Sequence, residues 1–151
     1  MANDVPTLIT DLLDITPDMP AERVRELNDQ CLLALGWERD QEIMEGYSKP
    51  VVVWIAPHKD EIYANGNQPN LLTSVNDALA ALQEGWAVKY LGQYWNDRGI
   101  GGAEVIGKWF CELTPWNSVV TNNDVDCEVA CDNPATALTI ANIKVSKYYD
   151  E

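Results

Sequence analysis

VVVWIA, from Val51 to Ala56, is six apolar residues without a polar interruption. Three successive β-branched valines, then Trp54 and Ile55, favour extended backbone, and an apolar run that does not alternate reads as a buried strand. A buried strand has to be covered by the apolar faces of other elements.

Those faces begin at the N-terminus. Leu8, Ile9, Leu12 and Leu13 line one face of a short helix or arm within residues 1–20. TPDMPAE then breaks the pattern, with Pro20 placed to open a new helix. From Ala21 to Leu35 the apolar positions Val24, Leu27, Cys31, Ala34 and Leu35 recur with helical period, while Glu22, Arg23, Arg25, Glu26 and Asp29 fall elsewhere. Gly36 suits the stop of that helix, and Trp37 follows it. Residues 38–49 read as a polar loop.

Beyond the buried strand, residues 57–70 read as a long connection with an Asn65-Gly66 turn. A helix is expected from Ser74 to Glu84, opened by the capping pair Ser74 and Asp77 and ended by Gly85. Val75, Ala78, Leu79 and Leu82 would form its buried stripe. WAVKYLGQYW then alternates, with Trp86, Val88 and Tyr90 on one face and Lys89 and Gln93 on the other. Asn96 to Gly102 reads as a turn, and Ala103 to Cys111 as the return strand of a hairpin. Residues 112–132 read as an acidic loop, with a strand around Val119 and Val125. Asp132 or Asn133 caps a last helix whose first turn holds Pro134 and whose stripe is Leu138, Ala141, Val145 and Tyr148.

The order helix, helix, strand, helix, hairpin, helix predicts one α+β domain over residues 1–151, with a core at 21–148 and a small, largely antiparallel sheet covered by helices. The length of 151 residues and a hydrophobic content of 46% are consistent with one domain and a sizeable core. No apolar run approaches the roughly 20 residues that span a bilayer. The N-terminus has neither a basic region nor a cleavage pattern, so a cytoplasmic location without structural disulfides is expected.

The chain holds 24 acidic and 10 basic residues, a net charge of −14. Such a surface repels a phosphate backbone, which argues against direct duplex binding; the acids read either as a well-solvated surface or as a face that attracts a basic partner or imitates nucleic acid. Residues 1–45 carry 11 acids against three bases, and residues 112–132 carry five acids and no base.

No motif brings chemistry with it. GIGG, Gly99 to Gly102, precedes a predicted strand and lacks the Lys-Ser/Thr of a phosphate loop. Asn122, Asp124 and Asp126 alternate as in a calcium loop, but Cys127 stands where Gly is needed and Asn133 where the closing Glu belongs. Cys31, Cys111, Cys127 and Cys131 lack the paired short spacings of a zinc site, and His58 has no nucleophile at a signature spacing. No catalytic residue, cofactor or metal is assigned. The six tryptophans are the richer signal. Trp54 and Trp86 read as core, whereas Trp95 and Trp116 lie beside turn residues where binding surfaces form.

RVRELNDQCLLALGW, VVVWIAP, PNLLTSVNDALAALQEGWAV and DNPATALTIANIKV together resemble the phage ABA-sandwich domain family, small phage and prophage proteins with NinX-type proteins as distant relatives. The resemblance covers most of residues 23–145. It implies a three-layer helix–sheet–helix sandwich in which both capped helices pack on a common sheet. It brings no catalytic residues. Leu72-Thr73-Ser74 departs from the family's Tyr-Thr-Ser entry to the middle helix. Because small phage accessory proteins often counter host defences, the expectation is a non-enzymatic acidic inhibitor of a basic or nucleic-acid-binding host protein. The alternative is a sponge that sequesters a small nucleotide immune signal of the cyclic oligonucleotide or ADP-ribose type, with aromatic rings stacking on a base and Arg98 or Lys108 holding phosphate. Homo-oligomer formation stays open. The predicted partner-binding residues are Trp95, Asn96, Asp97 and Arg98 in the hairpin turn and Trp116, Asp124, Asp126 and Glu128 in the acidic loop. Their rationale is that loops held by a rigid sheet concentrate binding residues.

Overall fold

The computed structural model describes residues 5–42, 48–57, 61–83, 85–93, 107–115 and 125–145, with the backbone alone at 42 and 125–130. The chain is α+β, a layered packing of helices and antiparallel strands. In chain order these are α1 (Val5–Leu13), α2 (Ala21–Ala34), β1 (Glu38–Glu42), β2 (Val51–Ile55), β3 (Ile62–Ala64), α3 (Val75–Ala80), β4 (Trp86–Gln93), β5 (Trp109–Pro115), β6 (Val125–Cys131) and α4 (Pro134–Val145).

The strands divide into two three-stranded sheets, β1-β2-β3 and β4-β5-β6, where one common sheet was expected. The first is built around the VVVWIA run. β2 is its central strand, and Val53 and Trp54 are completely buried. Trp54 Nε1 donates to Asn65 Oδ1 at 3.1 Å, and the Arg39 guanidinium lies 5.5 Å from the Trp54 ring centroid. β1 corrects the loop expected at 38–49. Its sequence, ERDQE, has no apolar residue to signal a strand, yet its backbone pairs with β2 from Glu38↔Ile55 to Glu42↔Val51. An edge strand can be wholly polar because pairing needs only the backbone, and charge there discourages further strand addition. β3 likewise replaces part of the long connection expected at 57–70, and Gly66 takes a φ of 104° in the turn after it.

α2 ends as Gly36 predicted. Gly36 has φ 95°, its amide donates to Leu33 O at 3.1 Å, and the Trp37 amide reaches back to Leu32 O at 3.0 Å. These two bonds satisfy carbonyls left over at the helix end. Pro20 sits at the N-cap, just outside the first turn. The buried face includes Asn28 and Leu32, which the apolar stripe did not contain.

α3 is shorter than predicted. Ser74 caps it, its hydroxyl accepting from the Asp77 amide at 3.2 Å, but the Asp77 carboxylate accepts from the Asn70 amide at 2.8 Å. The helix stops at Ala80. Of the expected stripe only Ala78 is buried, while Leu79 is exposed.

α4 is the centre of the packing. It lies against β4, β5 and β6 on one side and meets α1, α2 and α3. Nine consecutive residues, Ala135 to Ile143, are buried, so the narrow stripe of Leu138, Ala141 and Val145 understated it; Tyr148 lies outside the described residues. A helix apolar nearly all round belongs inside a domain. Asn133 caps it, accepting from the Thr136 amide at 2.9 Å, while Asp132 pairs with Lys108 instead. Its three buried polar residues recur every third position and all face the segment 71–83. Thr136 Oγ1 donates to Leu72 O at 3.2 Å, Thr139 Oγ1 to Leu71 O at 2.6 Å, and Asn142 Nδ2 to Ala81 O at 2.9 Å. The described residues contain no buried side-chain polar atom without a partner. α3 packs mainly on this helix, which differs from the shared sheet the resemblance implied.

No described helix is long and apolar enough to cross a membrane.

Candidate binding surface

The second sheet is an up-and-down meander. Its core face carries Cys111 and Leu113, fully buried, with Trp86, Val88, Leu91 and Trp109 packed beside them. Strict alternation would put Tyr90 with Trp86 and Val88. The ladder contradicts that: Val88 pairs with Leu113 and Tyr90 with Glu112, leaving Lys89 as an extra residue. A bulge of this kind moves every later residue to the opposite face. Tyr90 therefore joins the outer face and Leu91 the core.

On that outer face Tyr90 is 54% exposed. Its ring stacks on Phe110 with centroids 5.2 Å apart and planes 12° apart. Gly92, the register partner of Phe110, makes room for the ring, since a Cβ there would stand 2.6 Å from Tyr90 Cε1. The face also holds two ion pairs. Lys89 Nζ lies 3.2 Å from Glu112 Oε2, and Lys108 pairs with Asp132. The result is a stacked aromatic pair with two ion pairs beside it, in a chain of net charge −14.

The sequence-predicted surface relates to this one only in part. Trp95, Asn96, Asp97, Arg98, Trp116 and Asp124 lie outside the described residues, as do His58, the GIGG turn and Val119. Asp126 and Glu128 lie on β6, and Asp126 is the register partner of Glu112. The return strand starts at Trp109 and runs on to Pro115, which corrects the loop expected from residue 112; the strand expected around Val125 is present as β6, from Val125 to Cys131. Extended backbone from Val125 also departs from the tight wrap of a calcium loop. The two predicted loops are rooted at opposite ends of the sheet. Gln93 and Trp109 bound one, Pro115 and Val125 the other, and a seven-residue strand of about 3.3 Å per residue separates them by roughly 20 Å. The topology thus does not bring their roots together.

Tyr90, Gly92, Phe110 and Glu112 were absent from the predicted site. Their one sequence signal is Tyr90-x-Gly92, an aromatic two residues from a strand glycine, which fits a ring folded over a glycine on the same face. The bulge that turns this face outward has no such signal. The described residues hold no group of three or more His, Cys, Asp or Glu side chains able to bind a metal. No protein-family model matches the chain, and neither a curated protein nor a solved structure matches it.

Proposed function

We propose that the chain is a non-enzymatic phage or prophage accessory protein that binds and inhibits a basic or nucleic-acid-binding host protein, and that the outer face of the β4-β5-β6 sheet takes part in the contact. The observation that carries this reading is the exposed Tyr90 ring held flat on Phe110 in a strongly acidic chain. Large aromatics seated on a rigid element make good interface anchors, and net negative charge draws a basic partner and sets its orientation. Tagged protein incubated with bacterial lysate at low salt is expected to retain a basic protein. That protein should be released as the Debye length falls from about 30 Å at 0.01 M salt to about 3 Å at 1 M. Recovery of nothing at low salt counts against the reading.

A second reading, a sponge for a small nucleotide signal, draws on the same ring, which could stack on a base with Lys89 and Lys108 nearby. Both lysines are already paired with carboxylates, which makes it the weaker of the two. Thermal-shift screening against cyclic di- and trinucleotides tests it, and the absence of any shift removes its support.

A further inference from the structure

We infer that Tyr90 is the seat of an arginine side chain from the basic partner: the guanidinium lies flat on the exposed ring face. This rests on the acidic-inhibitor reading and specifies its chemistry.

The ring is prepared for a planar occupant. One face is stacked on Phe110 and the ring edge passes over Gly92, so the ring is supported from below and uncovered by the residue beside it. A nucleobase, a lysine and an arginine could all use such a surface, and charge separates them. A nucleotide brings phosphate. The cations on this face, Lys89 and Lys108, are each engaged by a carboxylate, Glu112 and Asp132, and the chain as a whole repels anions. A cation is favoured at long range by that net charge and at short range by the electron-rich ring. Between the two basic side chains, guanidinium is planar, weakly hydrated and able to stack while its five donors reach neighbouring carboxylates; an ammonium is a compact point charge that holds its water. The fold already contains one such contact, with Arg39 over Trp54 at 5.5 Å.

Octa-arginine and octa-lysine carry equal charge and differ in the group that meets the ring, so calorimetric titration of the full chain with each isolates the stacking. The native protein is expected to bind octa-arginine about two- to five-fold more tightly, the range of an exposed cation–π contact. The preference should survive added salt that weakens both peptides together. Tyr90→Phe keeps the ring and the preference, and Tyr90→Leu brings the ratio to about one while octa-lysine binding stays unchanged. Equal affinities in the native protein overturn the inference without needing any variant, as does a preference that persists in folded Tyr90→Leu. Equal affinities together with a salt-sensitive partner from lysate would remove the Tyr90 assignment and leave the inhibitor reading standing. An arginine preference with no partner in lysate would do the reverse.

Discussion

Asn142, in the last turn of α4, holds Ala81 at the end of α3: its Nδ2 donates to the Ala81 carbonyl at 2.9 Å, and its Oδ1 accepts from the Gln83 amide at 2.9 Å. One amide group thus satisfies a donor and an acceptor that the short helix leaves behind. Asn142→Leu keeps the branched heavy-atom shape and removes both bonds. Each backbone group left without a partner costs about 1–3 kcal/mol, so a loss of about 2–6 kcal/mol is expected. Urea unfolding of the variant checks it, and a loss under about 1 kcal/mol would mean that water replaces the side chain.

Leu71 is held from two helices at once. Its amide donates to Asn28 Oδ1 at 2.7 Å, and its carbonyl accepts from Thr139 Oγ1 at 2.6 Å. Asn28 also donates to Pro69 O at 2.9 Å. Asn28→Ala and Thr139→Val are each expected to destabilise by about 1–3 kcal/mol. Because both act on one residue, the double variant should depart from additivity by at least about 0.5 kcal/mol in a double-mutant cycle.

These polar anchors show what the sequence conceals. Three helix ends were legible because one residue carries each signal: Ser74, Asn133 and Gly36 act at the positions their chemistry predicts, whereas Gly85, read as the stop of α3, lies beyond the helix end at Ala80. The VVVWIA strand was legible because continuous β-branched residues have few other uses. β1 was hidden because an edge strand needs no apolar side chain, and its pairing is a property of β2. Leu79 was assigned to the core because helical period marks a face without saying that anything covers it. Thr136, Thr139 and Asn142 broke the apolar pattern of α4, yet they are buried because the segment 71–83 offers them partners. The candidate surface was least legible, since the bulge at Lys89 that presents Tyr90 depends on the pairing of β4 with β5.

Burial pushes the Cys31 thiol well above its ordinary value of 9.0. In the unfolded chain it ionises near that value, while in the folded protein it keeps its proton. The folded state therefore binds more protons above pH 9, and stability falls as pH rises from there toward the folded value, by up to about 1.4 kcal/mol per pH unit for this one group. Below pH 9 the contribution is fully present. Cys31→Ala should be less stable at pH 7 from lost packing but should show a shallower alkaline decline than the native chain. Equal slopes between pH 9 and 10 would show that other groups govern the decline.

Changing Asp124, Asp126 and Glu128 together to Ser tests whether the acidic stretch steers a partner. Three fewer negative charges should slow association with the lysate-derived target more than they speed dissociation, with the difference shrinking as salt rises. Stopped-flow or surface-based kinetics separates the two rates. Unchanged association would move attention to the other acidic concentration, residues 1–45.

Gly92→Ala tests the platform from beneath. No unusual backbone angle is required at Gly92, and alanine adds order to an extended chain, which favours the folded state by about 0.5–1 kcal/mol. Against this, the new Cβ would stand 2.6 Å from Tyr90 Cε1. The ring is half exposed and free to swing outward, forfeiting a stack on Phe110 worth about 0.5–1.5 kcal/mol. The two effects nearly cancel, so unfolding free energy should change by less than about 1 kcal/mol. The ring, however, no longer lies flat, and the preference for octa-arginine over octa-lysine should fall toward unity in a protein of near-native stability. In a Tyr90→Leu background the same Gly92→Ala change meets no ring, so it should stabilise the fold and leave peptide binding untouched. A native arginine preference retained in Gly92→Ala would show that the stacked geometry is not what the partner reads.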